Sequence, residues 1–306
     1  GLLNRIIIDD VLLDDQSGKE MLKITRLSAK FDIIPLFNGK ITISSVQLFG
    51  FNINLNKPAP HMEPNFKFVL DAFASKDTVK TKKDIDLRIN SILIRRGKLS
   101  YDVLSEEETP GKFNPQHIKL HNIIANISLK ALQNDSINAA IKRLSVDEQS
   151  GFELRKLSLK VIANNKGMKI ENFAIEMPGT EMKMDTIRME YDSLKALNHF
   201  ADNVRFSFRT LPSHVTLNDI SAFVPALSNF KEKLDLNIDV EGTLNQLNCR
   251  TLEINAGDKF RLKGDVSLQD LSRPQDAYVY GHLANLSANK EGIGFLVRNL
   301  SPHYNG

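Results

Sequence analysis

At 306 residues the chain can bury one large core or two ordinary ones, and 42% hydrophobic with 25% charged residues is the composition of a folded protein. A formal net charge of +3, from 40 basic and 37 acidic side chains, excludes a net pull toward nucleic acid, and no long basic block supplies a local one. The single Cys249 excludes an internal disulfide and any multi-cysteine zinc or iron–sulfur site.

No run approaches the roughly 18 apolar residues of a membrane span, and the start lacks the pattern of a signal peptide. The chain begins at Gly1 and enters a β-like stretch at once, so we expect a piece of a longer protein.

Residues 2–13 read as a first strand, and Asp14-Asp15-Gln16-Ser17-Gly18 as a turn with Asx acceptors and a glycine for positive φ. Residues 22–55, LKITRLSAKFDIIPLFNGKITISSVQLFGFNINL, then alternate apolar with polar at the period of a strand. Ile24, Leu27 and Phe31, then Ile41, Ile43 and Val46, then Phe51 and Ile53 fall on one face, and Asn38-Gly39 marks a hairpin. The phase slips once at Ser44-Ser45 and again at Phe49-Gly50, as at a bulge or strand break.

Residues 64–74 change period: Phe66, Val69, Leu70 and Phe73 stand at i, i+3, i+4 and i+7, the spacing of a short amphipathic helix. A lysine-rich linker at 76–83 follows. Alternation resumes with Ile92 and Ile94, a turn at Arg96-Gly97, and Leu99, Tyr101 and Val103. An acidic loop begins at Glu106-Glu107-Glu108, and 117–129 is strand again.

Residues 146–160 can be laid on 13–30 after a short insertion, pairing Glu148-Gln149-Ser150-Gly151 with Asp15-Gln16-Ser17-Gly18 and placing Leu157 and Leu159 on the apolar face. Ile170, Phe173 and Ile175 repeat the rhythm of 39–48, so one strand–turn–strand unit is reused, as in folds that grow by adding strands. Residues 192–200 suggest a short helical turn. Residues 218–227 suggest a second short helix, capped by Asn218 or Asp219, with Ile220, Phe223, Val224 and Leu227 as its buried face. From Leu234, Leu236, Ile238 and Val240 onward the chain reads as an antiparallel meander.

Sites of chemistry are sparse. His117 and His121 alternate with Ile118 and Leu120, which puts them on the polar face of a strand and not on the one helical face that a metal pair needs. Asp9, Asp10, Asp14 and Asp15 lack the ligand spacing and closing glutamate of a calcium loop. No phosphate loop, nucleophile elbow or HExxH pattern is present, and without tryptophan a sugar-stacking cleft is poorly supplied. We therefore expect no catalytic residues, metal or cofactor.

Some 16 to 18 strands share one apolar face, and two short helices are too few to cover it. Either the ribbon folds over itself into a sandwich with a dry core, as in a structural or adhesive repeat, or it leaves an apolar trough suited to acyl chains. The opening IIIDDVLLDD and the ribbon after it, with its element F-N-G-K-I-T-I-S-S-V-Q-L, resemble AsmA-like and TamB-like proteins of Gram-negative envelopes. INSILIRRGKLSYDV at 89–103 and the stretch 234–268 are similar to later elements of that family. The resemblance implies a periplasm-spanning, taco-like β-groove, anchored in the inner membrane by an upstream segment. Such a groove carries phospholipid between inner and outer membranes, or aids outer-membrane protein assembly with a β-barrel partner. Asp77-Thr78-Val79, Asp135-Ser136-Ile137, Asp185-Thr186-Ile187 and Asp192-Ser193-Leu194 resemble O-glycosylation sequons of Bacteroidetes envelope proteins.

The expectation is thus an all-β, elongated, antiparallel, curved groove with two short helices. It comprises a ribbon (1–57), a helix and linker (58–84), a continuation with the second repeat copy (85–190), short helical insertions (191–233) and a meander (234–306). The apolar positions named above line the groove.

Overall fold

Period-two alternation over most of the chain gives an all-β fold, with sixteen strands and three short α-helices among the described residues. The computed structural model describes residues 3–38, 40–74, 86–133, 136–273 and 276–300. The linker at 76–83, the sequon at 77–79, Gly39 of the expected hairpin turn and Asp135 lie outside them, as does the side chain of Ile41. The chain divides into two compact units, Gly1–Arg155 and Lys156–Gly306, so the division falls inside the expected 85–190 segment.

Unit 1 is a sheet in chain order: β1 (Leu3–Asp14), β2 (Glu20–Asp32), β3 (Lys40–Lys57), β4 (Asp86–Val103), β5 (His117–Gln133) and β6 (Ser136–Glu148). Neighbours run antiparallel except β3 and β4, which are parallel with one register offset from Lys40↔Asp86 to Lys57↔Val103. This corrects the all-antiparallel expectation. The crossover that begins with α1 (Lys67–Ala74) returns the chain to the end where β3 started, which a tight hairpin cannot do. Within α1 Leu70 is exposed.

Arg96-Gly97 is not a turn. β4 runs straight through it, and the phase slip is a kink shared by four strands: Asp10, Thr25, Gly50 and Arg96 are the extra residues at one level. Asp10, Gly50 and Arg96 have φ of 57°, 67° and 55° there, and Asn122 of β5 follows at 52°. Because all four strands slip together, their register survives while each strand bends. At this level Phe51 packs against Gly97, where an added Cβ would stand 2.4 Å from its ring. The slip at Ser44 is a bulge as well, and its hydroxyl donates to the Lys30 carbonyl.

The turn at Asp15 is built as its sequence reads. The carboxylate accepts from the Ser17 amide at 2.9 Å and the Lys19 amide at 3.0 Å, and Gly18 takes φ of 83°. Glu148 repeats it, accepting from the Ser150 amide at 2.7 Å and from the Ser150 hydroxyl, with Gly151 at φ of 98°. The likeness of the two segments is therefore structural at the turn.

Unit 2 carries β7 (Glu153–Ala163), which starts just before the division, β8 (Gly167–Met177), β9 (Thr180–Lys183), β10 (Ile187–Glu190), β11 (Arg205–Arg209), β12 (Ser213–Val215), β13 (Leu234–Thr243), β14 (Gln246–Ala256), β15 (Phe260–Gln269) and β16 (Tyr278–Ala288). Its path is β7-β8-β10-β11-β13-β14-β15-β16, while β9 and β12 pair with each other and with β8 and β13. The expected turn at 192–200 is a 3-10 stretch, Leu194–His199, continued by α2 (Phe200–Asn203). The expected helix at 218–227 is two 3-10 turns, Leu217–Ile220 and Pro225–Leu227. Pro225 is the reason: it forces Val224 to φ −130° and ψ 85°, outside the helical region. Phe223 and Val224 are accordingly exposed, and Asp219 does not cap but accepts from the Gly179 amide and the Thr180 hydroxyl.

A third helix, α3 (Lys290–Leu300), follows β16 where only meander was expected. Asn289 caps it by accepting from the Gly292 amide at 2.9 Å. Gly292 and Gly294 hid it, since glycine is a poor helix former. Gly292 is required, because a Cβ there would sit 1.8 Å from the Lys259 carbonyl oxygen.

Substituting Gly97→Val drives a branched side chain into Phe51 and Ile123. The expected cost is about 1–3 kcal/mol, read as a lower urea midpoint, and it should shrink when Phe51 is also shortened to Leu.

Candidate functional site

Apolar residues of unit 1 line up in rows that cross every strand. Ile8, Leu27, Leu48, Ile94, Ala125 and Leu144 are successive cross-strand partners, as are Ile6, Ala29, Val46, Ile92, Ile127 and Ile141. Five spacings of about 4.8 Å make each row about 24 Å long. On the other face the adjacent row is Ile7, Ser28, Gln47, Leu93, Asn126 and Arg143, so the two faces differ sharply in polarity.

The floor of this apolar face is the line of kinks. Ile24, Phe51 and Ile123 are buried there, with Val11, Leu48, Ile53, Ile94, Leu99 and Leu144 packed around them. Away from the kink the rows open: Phe31, Ile43, Val46 and Ile92 are half-buried, as are Leu27, Ile53 and Ile94 beside the floor. This is the face on which the sequence places the expected trough. Its expected lining residues share that face, and Ile41 is placed on β3 opposite Leu87.

Unit 2 has a comparable face of its own. Leu157 pairs with Ile175, and Ile170 with Ile187 of β10, while Leu159 and Phe173 sit at the bulge around Asn172, and all but Ile187 are half-buried. On β13 Leu234 and Val240 are buried, and Leu236 and Ile238 half-buried. Val240, Leu247 and Cys249 form one floor, with Phe206, Phe208 and Leu268 against it. Leu234, Ala256 and Phe260 form another, under Leu217. Burial pushes the Cys249 thiol up, and the side chain fills space beside Val240 and Leu247. Strands β1, β5, β6, β14 and β15 contribute as many apolar positions as the strands first singled out. The same alternation marked them.

The histidine pair divides as the alternation requires, on the face opposite the trough. His121 is exposed, with Nε2 3.9 Å from Asp147. His117 is 3% exposed. Its Nδ1 lies 2.7 Å from Asp102 Oδ1 and its Nε2 2.8 Å from the Glu106 carbonyl oxygen. Both partners present acceptor oxygens to the ring, an arrangement that favours its doubly protonated form. The Asp102 hydrogen bond, then the Glu106 carbonyl, hold its pKa above the ordinary histidine value, against the opposing pull of burial. The Glu108 carboxylate completes a group whose ligand atoms lie within 4.8 Å of one another. Both ring nitrogens are engaged, and the group clamps the acidic loop to the sheet. Among the described residues no helix is long and apolar enough to cross a membrane.

Because the folded pKa of His117 is raised, its contribution to stability is complete below pH about 6.5 and is lost as pH rises through the folded value. Denaturant midpoints measured from pH 5 to 9 should fall across that window, and His117→Gln should flatten the fall. Compared with known proteins, the chain matches no family model and no curated protein.

Proposed function

We propose that this protein is a non-enzymatic lipid conduit, or a segment of one, whose apolar trough shields phospholipid acyl chains. The half-open state of the apolar rows carries the reading. In an ordinary dry core the flanks beside Ile24, Phe51 and Ile123 would be as buried as the floor, yet Leu27, Val46, Ile92 and Ile94 keep part of their surface open. Each methylene laid along such a row contributes about 0.8 kcal/mol. Rows of near-equivalent apolar side chains offer many similar positions, so a chain can be held and still slide.

The resemblance to AsmA-like and TamB-like proteins extends the proposal. In that reading the protein belongs to the periplasm, is anchored to the inner membrane through an upstream segment, and serves phospholipid transport between the two membranes or outer-membrane protein assembly with a β-barrel partner. No catalytic residue, metal or cofactor takes part.

A photo-crosslinking residue at Leu48 or Ile94, with controls on the opposite face at Gln47 and Leu93, tests this directly. Lipid adducts, identified by mass spectrometry after gentle extraction, are expected at the first pair and not the second. Equal labelling of both faces, or crosslinks at Leu48 and Ile94 to protein alone, would sink the reading. Leu48→Asp with Ile94→Asp should remove most of the co-purifying phospholipid.

A further inference from the structure

The face of unit 1 opposite the trough carries its own recognition chemistry, independent of the trough. Of the seven arginines in unit 1, Arg5 donates to Ser28, Arg26 pairs with Asp9, Arg155 pairs with Glu153 and Arg88 is also engaged. The other three, Arg95, Arg96 and Arg143, form no ion pair or side-chain hydrogen bond among the described residues, and they stand together. They rim a recess of about 440 Å³ whose apolar surface is Phe49 and Ile124, each 41% exposed. A second recess of about 310 Å³, between Gln47, Leu93 and Arg95, shares Phe49 with it.

The kink builds this cluster. Its extra residue puts the consecutive Arg95 and Arg96 on the same face, and Arg96, at φ of 55°, lays its guanidinium 5.3 Å from the centre of the Phe49 ring. Beside it Asn126, between Leu93 and Arg143 in the cross-strand row, has a buried side-chain oxygen with no hydrogen-bond partner.

We propose that this patch docks an acidic segment of a partner protein, with an apolar side chain of that segment seated between Phe49 and Ile124. Guanidinium forks match carboxylates in pairs, so three unpaired ones call for an anionic partner. The apolar surfaces line recesses between the arginines. A recess with an apolar floor and a charged rim receives a side chain, whereas entry into a lipid surface needs side chains that stand out.

The test is fluorescence anisotropy of the full chain with a labelled 12-residue peptide, glutamates around one central Phe. Saturable binding is expected, weakened at least tenfold by Arg95→Ala with Arg143→Ala, by Phe49→Ser, and by Ser in place of the peptide's Phe. Thermal melts of the variants check that the fold holds. Absence of saturation up to about 1 mM, indifference to the arginine substitutions, or equal affinity for the Ser peptide overturns the proposal. So does patch-dependent capture by phosphatidylglycerol vesicles with which the peptide does not compete. Salt-sensitive self-association that the peptide displaces would support it and identify the partner as a second copy.

Discussion

A phenylalanine ring against a glycine sets the geometry of unit 1. Phe51 can lie on β4 only because Gly97 has no side chain, and with Ile24 and Ile123 beside it this contact closes the floor at the bend. The bend exists because Asp10, Thr25, Gly50 and Arg96 insert their extra residue at one level. Four kinks at one level let long strands turn without losing their register. An isolated kink would shift the register and carry one strand's apolar residues to the other face.

Both faces take their character from this line. On one it supplies a closed floor, with half-open rows of Ile, Leu and Val to either side. On the other it sets Phe49 and the consecutive Arg95 and Arg96 side by side, and it draws the Arg96 guanidinium over an aromatic ring. A trough that holds acyl chains and an opposite face that docks a protein would then be two consequences of one backbone device.

The parallel pair β3 and β4 is the other constraint. A crossover that starts with α1 and returns the chain by the whole length of β3 lets two 18-residue strands present the same sequence rhythm in the same direction. Leu48 then meets Ile94, and Val46 meets Ile92, without any turn residue having to fix the register. At the far end of the pair the His117 ring, held between Asp102 and the Glu106 carbonyl, ties down the acidic loop that leads into β5.

Alternation alone determined the fold class and the apolar face. Ile24, Phe51, Ile92, Ile170 and Val240 could be assigned because a period of two depends only on backbone geometry. The Asp15 and Glu148 turns were legible for the same local reason, since carboxylate, serine and glycine act within four residues. Tertiary structure decided what depends on distant partners. It made Arg96-Gly97 a kink and not a turn, because Phe51, forty-six residues earlier, needs the space above Gly97. It made β3 and β4 parallel through a crossover of mixed composition. It broke the expected helix at Pro225 while allowing α3 to form over Lys259 in spite of two glycines. It also gathered Arg95, Arg96 and Arg143, since charges on three strands become neighbours only when the strands pair.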